Sequence, residues 1–271
     1  MQERILIVGG DRRQQELTRL LALEHRVDTL GVPLWPDTAR QQRYGLVILP
    51  CPAFDREGNI RCSGGGLPTE AAAPYLGPET LLLGGALGRG EAAFLTGAGR
   101  ARDLLQDPFF AAENARLTAE AAVALTMKET GRSLRGQRCA LLGFGRIGKA
   151  LARHLHHLGA ELTVAARRPE VLAEAESLGF SPGGFPEAAA GAEVIFNTVP
   201  APVLSPQQAG GLGREQLWVE LASAPGGLPT DTELLCRVVP AGGLPGRVLP
   251  LSAALALKQA IVRSWEEAYE V

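Results

Sequence analysis

The chain has 271 residues, of which 46% are hydrophobic and 21% charged, and its formal net charge is −2. This composition is typical of a globular protein with one large domain or two moderate ones. The near-neutral charge and the lack of a basic stripe with interleaved aromatics argue against a nucleic-acid-binding surface. No apolar run reaches the roughly 20 residues of a membrane span, and the N-terminus has no signal-peptide pattern. We therefore expect a cytoplasmic protein without a membrane partner.

The chain contains four widely separated cysteines, Cys51, Cys62, Cys139 and Cys236. They form no CxxC pair, so in a cytoplasmic protein we expect them to be reduced and structural. His154 and His157 have an i, i+3 spacing that a metal site can use, but no carboxylate or cysteine completes a ligand set. The sequence therefore predicts no metal.

The first part of the chain alternates strand-like and helical segments. Strands are predicted from the apolar runs at 4–11, 44–52 and 80–88, each of which ends near glycine or proline. Leucines at helical spacing follow the first run. Strands that alternate with helices indicate a parallel sheet. We predict that residues 1–112 form a small parallel α/β domain for substrate or partner binding.

The second part begins with an alanine-rich helical segment at 113–130. Strands are predicted at 138–142, 161–167, 192–200, 216–223 and 237–243, with a helix at 146–158. The C-terminal segment has one apolar helical face, made of Ala254, Leu257, Ile261, Trp265 and Tyr269. Because that face must be buried, we expect residues 251–271 to return to the N-terminal domain. Residues 113–250 then form a linker helix and a Rossmann dinucleotide-binding domain.

A glycine-rich loop supports the dinucleotide-binding prediction. Residues 139–149, CALLGFGRIGK, carry the pattern G-x-G-x-x-G between a predicted strand and a predicted helix. Gly143 would permit the tight turn, Gly145 would let the backbone approach a pyrophosphate, and Gly148 would let the helix pack on the strand. Arg146 and Ile147 start the helix, whose N–H groups favour phosphate. The alternative is a purely structural strand–turn–helix.

The end of the next strand should discriminate between NAD and NADP. NAD enzymes usually carry Asp or Glu there to bind the ribose 2′-hydroxyl, whereas this chain has Arg167 and Arg168. Guanidinium groups suit a 2′-phosphate, which a carboxylate would repel. We therefore predict NADP, with NAD as the alternative cofactor. The two arginines could instead be solvated surface charges.

A long helix leading into GFGRIG, between an N-terminal α/β domain and a returning C-terminal helix, is similar to the D-2-hydroxyacid dehydrogenase architecture. Those enzymes use an arginine after a late Rossmann strand and a histidine near the end of the domain. Here ELASAPGG (220–227) occupies the arginine's place, and no histidine follows His157. That reaction needs a general base in the site, so we expect the shared architecture without the shared reaction.

The chain also resembles the family of dipicolinate synthase A subunits along nearly its whole length. The family's motifs occur in order: GGDRRQ (9–14), EGNI (57–60), Thr118 with Glu120, GFGRIG (143–148), NTVP (197–200), LASAPGG (221–227) and GGLPGRVLP (242–250). The first and the last two are more specific than the glycine loop. The chain departs from the family's P-K-T-A after the last motif. There Leu251 replaces the lysine and Ser252 replaces the threonine, which puts in doubt any role of that lysine.

The resemblance implies an NAD(P)-dependent oxidoreductase that oxidises dihydrodipicolinate to dipicolinate (pyridine-2,6-dicarboxylate) with NADP during sporulation. It implies a heteromeric complex with the synthase's B subunit, which looks like a flavoprotein of flavodoxin-like fold, in the mother cell of a sporulating bacterium. Homo-oligomerisation is left open. One alternative is a non-catalytic dinucleotide-binding scaffold or sensor whose partner carries the chemistry. The other is a different NAD(P)-dependent oxidoreductase.

Such a reaction needs a base and cations for a small dicarboxylate. Arg13, at the start of the first predicted helix, would bind a carboxylate, unless it forms a local cap and ion pair with Asp11. Glu120 is the predicted base because burial on an apolar helix face would raise its pKa. An interdomain hydrogen bond or a surface charge is the alternative role for Glu120. Arg247 is a further carboxylate partner by position.

The remaining predicted site residues lie where strands or helices end. Ser223 and Ser252, expected on loops, would bind a carboxylate or the nicotinamide amide, or would cap helices. Further cofactor contacts are expected from Thr198, Val199, Pro200, Ala222 and Ser223. In this hypothesis the N-terminal domain supplies one wall of the substrate cleft and the NADP site supplies the other.

Overall fold

The computed structural model describes residues 4–90 and 92–269, without the side chains of Arg89 and Tyr269. The predicted packing of Tyr269 therefore lies outside the described residues. The chain divides into two compact units. The first comprises the described residues up to Asn114 and from Pro245 onward, and the second comprises Ala115–Leu244.

The first unit is built on a parallel sheet. Its strands are β1 (Arg4–Val8), β2 (Arg26–Leu30), β3 (Leu46–Ile48), β4 (Ile60–Cys62), β5 (Gly65–Leu67), β6 (Leu81–Gly84) and β7 (Arg100–Asp103). β4 and β5 form an antiparallel hairpin, and the other five strands form the sheet in the order β2-β1-β3-β6-β7. Counted within the sheet, this order is 2-1-3-4-5, a doubly wound arrangement that reverses between β1 and β3.

Helices cover the strands of this sheet. They are α1 (Arg12–Ala22), α2 (Thr69–Ala72), α3 (Ala92–Thr96) and the long α4 (Pro108–Thr130), which contains the boundary between the units. Short 3₁₀ turns occupy Ala73–Tyr75, Leu87–Arg89 and Leu104–Gln106. All four apolar residues of β1, from Ile5 to Val8, are fully buried. Burial of successive residues means that both faces of the sheet are covered, as parallel sheets require.

The second unit contains a six-stranded parallel sheet. Its strands are β8 (Arg138–Leu142), β9 (Glu161–Ala165), β10 (Ser181–Gly183), β11 (Val194–Asn197), β12 (Leu217–Glu220) and β13 (Arg237–Pro240). Their order in the sheet is β10-β9-β8-β11-β12-β13. Counted within the unit, this is 3-2-1-4-5-6, the strand order of dinucleotide-binding Rossmann domains. The order reverses between β8 and β11.

Four helices alternate with these strands: α5 (Arg146–His157), α6 (Pro169–Ser177), α7 (Phe185–Gly191) and α8 (Pro206–Gly210). A core of small and apolar side chains lies under them, with the buried Trp218 of β12 as its largest member. Successive residues of β8 and β11 are buried on both faces. The register is regular, with Cys139 to Leu142 of β8 opposite Val194 to Asn197 of β11.

The chain ends with α9 (Leu244–Val248) and α10 (Pro250–Tyr269). α10 packs against α1 of the first unit, and Trp265 lies against His25 with ring centroids 5.7 Å apart. Leu257 and Ile261 are buried, as the apolar face of this helix requires. No helix in the described part of the chain is long and apolar enough to cross a membrane.

Several elements differ from the sequence-based expectation. Of the predicted strand 44–52 only Leu46–Ile48 is a strand; Pro50 and Pro52, which lack an N–H, follow it. β2 and β7 were not predicted, because charged residues interrupt their apolar pattern. Both are edge strands, where charged residues are common. α4 begins at Pro108, five residues before the predicted start at 113.

Candidate functional site

The glycine loop joins β8 to α5 at the centre of the six-stranded sheet. Gly143 has a left-handed backbone conformation (φ 98°), and its N–H donates to Ala165 O at the end of β9 at 2.8 Å. A side chain at Gly148 would collide with the backbone of Gly143. The turn itself therefore requires these two glycines, one for its conformation and one for the close approach of α5.

Gly145 has a different environment. A Cβ built on it would have nothing within 4 Å among the described residues, so packing within the chain does not explain the glycine. Gly145 is the N-cap of α5, and the predicted phosphate ligands Arg146 and Ile147 are the first two residues of the helix. Because the N–H groups of a helix N-terminus attract anions, this open side can receive a pyrophosphate.

Thr198, Val199 and Pro200 follow β11, the neighbour of β8. The Thr198 N–H and Oγ1 both donate to Leu142 O, at 2.8 and 3.0 Å. A Cβ on Gly143 would collide with Thr198 Oγ1. The structure thus brings the NTVP segment beside the glycine turn, at the point where the strand order reverses. Ligands of open α/β sheets bind at that point.

Arg167 and Arg168 lie two and three residues after β9, whose last residue is bonded to the glycine turn. Both side chains are exposed. Arg167 Nη2 donates to Pro202 O at 3.2 Å. Arg168 lies 3.5 Å from Glu170 in an ion pair, and its side chain is 74% exposed. Arg167 is therefore held next to the turn, whereas Arg168 is a largely solvated charge.

Ala222 and Ser223 lie in the loop that follows β12. Ser223 is exposed, and its carbonyl oxygen accepts from Gly226 N at 3.1 Å. The Ala222 N–H donates to Glu220 Oε1 at 3.0 Å, so the start of this loop is tied back to the end of the strand. The loop lies one strand beyond the NTVP segment in the sheet.

Arg13 adopts the local arrangement that the sequence left as an alternative. Its Nη2 and Nε lie 2.9 and 3.2 Å from Asp11 Oδ2, and the side chain is only 8% exposed. Asp11 also caps α1 by accepting from Arg13 N at 2.8 Å. Burial opposes the charged guanidinium, but the adjacent Asp11 carboxylate holds the pKa of Arg13 above its ordinary value. Gly246, in α9, packs directly against this pair.

Two expectations about the catalytic candidates are wrong. Glu120 is not buried, because its side chain is 37% exposed and forms an i, i+4 ion pair with Arg116 on the surface of α4. The apolar residues beside it, Ala119 and Ala121, are buried, because they lie on other sides of the helix. Ser252 is not on a loop. It is the third residue of α10 and is exposed.

The cysteines are all free, and three of them, Cys51, Cys139 and Cys236, are buried. Burial raises the pKa of the Cys51 thiol to about 12 and that of Cys139 to about 12. Such thiols stay protonated at neutral pH and are poor nucleophiles. Within residues 4–90 and 92–269, no group of three His, Cys, Asp or Glu side chains is arranged to hold a metal ion.

The sequence reading missed two residues that shape the cofactor end of the sheet. Asn197, the last residue of β11, is fully buried, and its Nδ2 donates to Glu220 Oε1 at 2.7 Å. Glu220 is the last residue of β12. Both lie inside or beside quoted motifs, as polar residues that end otherwise apolar strands. That contrast was the available signal.

The comparisons with known proteins agree with this geometry. Residues 111–217 match the NAD binding domain of the D-isomer specific 2-hydroxyacid dehydrogenases. In an alignment of 285 residues, the chain is 28% identical to the dipicolinate synthase A subunit of Bacillus subtilis (strain 168), over 92% of this chain and 91% of that protein. The chain resembles the A subunit of dipicolinate synthase. The predicted resemblance is confirmed.

Solved structures of the same subunit show the same fold. The subunit from Bacillus halodurans has a TM-score of 0.80 at 23% identity, with 97% of each chain covered. The subunit from Bacillus subtilis has a TM-score of 0.78 at 24% identity, covering 98% of this chain and 97% of that one. The predicted fold class, mixed α/β with parallel sheets and a Rossmann domain, is confirmed.

The domain match also bears on activity and cofactor. It confirms the prediction of an NAD(P)-dependent oxidoreductase and of a nicotinamide dinucleotide cofactor. The match does not separate NADP from NAD. The relative from Bacillus subtilis is named as one component of an enzyme with more than one subunit.

Proposed function

We propose that the protein is the A subunit of a dipicolinate synthase and oxidises dihydrodipicolinate to dipicolinate with NADP. One observation carries the proposal. An open glycine turn lies at the switch point of a 3-2-1-4-5-6 sheet, in a chain that resembles a dipicolinate synthase component over 92% of its length.

The cofactor residues divide by position on the sheet. The N–H groups at Gly145, Arg146 and Ile147 receive the pyrophosphate, and Arg167 binds the 2′-phosphate. The loops after β11 and β12 receive the nicotinamide half, because a Rossmann sheet is built from two mononucleotide-binding halves. When bound, NADP supplies the hydride acceptor.

The substrate loses a hydride and a proton and carries two carboxylates. Arg13 is the proposed carboxylate ligand, because Asp11 takes only its Nε and Nη2 and leaves Nη1 without a hydrogen bond among the described residues. Ser223 and Ser252 are exposed hydroxyls that can donate to an anion. Glu120 is the proposed proton acceptor, and in that role it must part from Arg116.

A second function has one observation in its favour. The proposed base is a half-exposed, ion-paired glutamate rather than a buried one, as expected if this chain is a dinucleotide-binding scaffold whose partner carries the chemistry. In both cases the partner is the synthase's flavoprotein-like B subunit in the mother cell of a sporulating bacterium. Its identity is inferred from the relative's name.

Spectroscopy with purified components separates the two functions. Dihydrodipicolinate and NADP are supplied to this protein alone and then together with the B subunit, while NADPH and dipicolinate are followed together. Equal amounts of NADPH and product support the oxidoreductase. Product without NADPH supports the scaffold, and neither product nor NADPH under both conditions refutes the proposed reaction.

Two variants assign the residues. Arg13→Ala should weaken substrate use by roughly 1.5–3 kcal/mol, as expected for a charge-assisted hydrogen bond, while NADP affinity stays unchanged. Glu120→Gln should lower turnover more than substrate binding. Arg116→Gln is the matched control, because it breaks the same ion pair and leaves the carboxylate. Loss of turnover in Arg116→Gln as severe as in Glu120→Gln would contradict a role as base.

A further inference from the structure

Glu220 occupies an unusual position for an acidic residue, because it ends the apolar strand β12 in the middle of the cofactor edge of the sheet. Its carboxylate accepts four hydrogen bonds. Oε1 accepts from Asn197 Nδ2 at 2.7 Å and from Ala222 N at 3.0 Å. Oε2 accepts from Gly227 N at 3.0 Å and from Trp218 Nε1 at 3.1 Å. Both oxygens are therefore used twice, which a carboxylate permits and an amide does not.

These four donors belong to three separate segments. Ala222 and Gly227 lie at the two ends of the loop after β12, so the carboxylate closes that loop across its base. Asn197 belongs to β11, and its side chain also fixes the next turn: Nδ2 donates to Val199 O at 2.9 Å, and Oδ1 accepts from Val199 N at 3.1 Å. One carboxylate thus joins both loops that follow β11 and β12.

The surrounding glycines indicate that the approach is close. A Cβ on Gly226, whose φ is +86°, would lie 3.0 Å from Glu220 Oε2. A Cβ on Gly227 would lie 2.5 Å from Asn197 Cγ. The GG pair of LASAPGG is therefore required so that the loop can fold down onto this network.

We propose that Glu220 is a positioning residue that holds the loops at Thr198–Val199 and Ala222–Ser223 in the shape that receives the nicotinamide half of the dinucleotide. The inference rests on the proposed function. Both loops follow strands of the second half of the sheet, whereas the glycine turn and Arg167 serve the adenosine half. Glu220 acts through these loops and does not itself contact the cofactor.

The test compares a whole cofactor with a fragment that lacks nicotinamide. Dissociation constants of NADP and of adenosine 2′,5′-bisphosphate are measured calorimetrically for the wild-type protein, Glu220→Gln and Glu193→Gln. Glu193 is the matched control, since it precedes β11 at the opposite edge of the same sheet and accepts from Arg138 N at 3.1 Å and Arg132 Nη1 at 3.0 Å. The same change is thus made at both ends of the sheet.

Glu220→Gln should weaken NADP binding about tenfold, equivalent to about 1.4 kcal/mol, and change the fragment less than twofold. Glu193→Gln should change neither ligand. A purely structural role would lower the melting temperature but leave the ratio of the two affinities unchanged, and that result overturns the inference. If Glu220→Gln does not fold, Glu220→Asp, which keeps the carboxylate but shortens its reach, carries the same comparison. Failure of the wild-type protein to bind either ligand would instead refute the proposed function.

Discussion

Replacing Arg167 and Arg168 singly with alanine tests how the protein selects its cofactor. Both arginines stand where NAD-specific domains usually carry an acidic residue, yet their surroundings differ. Arg167 is bonded to Pro202 O, across the edge where the glycine turn lies. Arg168 is paired with Glu170 and is 74% exposed. The two substitutions should therefore have unequal effects.

The expected magnitudes follow from these surroundings. A hydrogen bond to a charged group contributes roughly 1.5–3 kcal/mol, and an exposed ion pair about 0.2–1 kcal/mol. Arg167 is exposed, so we place its contact with a 2′-phosphate at the lower end of the first range, about tenfold in affinity. Arg168 must leave Glu170 before it can bind a phosphate. Its loss should cost about threefold or less.

Calorimetric titration of NADP and NAD into the three proteins gives the required ratios. The wild-type protein should prefer NADP. Arg167→Ala should reduce that preference about tenfold by weakening NADP alone, and Arg168→Ala should nearly preserve it. Tighter binding of NAD by the wild-type protein would refute the cofactor prediction. A larger effect of Arg168→Ala than of Arg167→Ala would refute the assignment of roles.

Three other predictions concern the framework of the site. Gly145→Val should keep the wild-type melting temperature but lose dinucleotide affinity, because the position is open, whereas Gly148→Ala should lower the melting temperature by its collision with Gly143. Although burial opposes it, hydrogen bonding to Arg263 holds the pKa of Asp107 below its ordinary value. The resulting stability should be fully present above about pH 3.9 and be lost as pH falls through the lower folded value, and Asp107→Asn should reduce that loss in thermal melts. Cys51, buried with a pKa of about 12, should not react with a thiol reagent at pH 8 until the protein is unfolded.

The Rossmann half of the fold was predictable because its signals are local. The strand 138–142 was predicted with its observed bounds, and the helix after it was predicted one residue too long. Each depends on an unbroken apolar pattern beside glycines, which a single sequence displays. The edge strands were not predictable in this way, because an edge strand such as β7 tolerates Arg100 and Arg102 and uses them elsewhere. Arg102 Nη1 bonds Glu267 Oε2 of α10 at 2.7 Å.

The side-chain environments were less predictable than the backbone. The burial of Glu120 was inferred from its alanine neighbours, but neighbours along a helix face different directions, and the side chain pairs with Arg116. The role of Glu220 depends on donors from β11 and from a loop seven residues further on. Hydrogen bonds between segments that are distant in sequence leave no periodic pattern, so only coordinates could reveal that network.

The chain has two doubly wound sheets, and each begins with a strand, a glycine turn and a helix, so the sequence alone does not say why only one should bind a dinucleotide. In the first unit, a Cβ on Gly9 would meet Arg61 O of the hairpin, and one on Gly10 would meet the Gln14 side chain. The N-terminus of α1 is capped by the Asp11 carboxylate, which would repel a phosphate.

In the second unit the corresponding position is Gly145, where a Cβ would have no neighbour within 4 Å in the described chain and the N-cap carries no side chain. The difference lies in what already occupies each helix N-terminus. A dinucleotide therefore belongs at α5. The turn before α1, with Arg13 held by Asp11, can accept only a smaller anion that competes for the guanidinium.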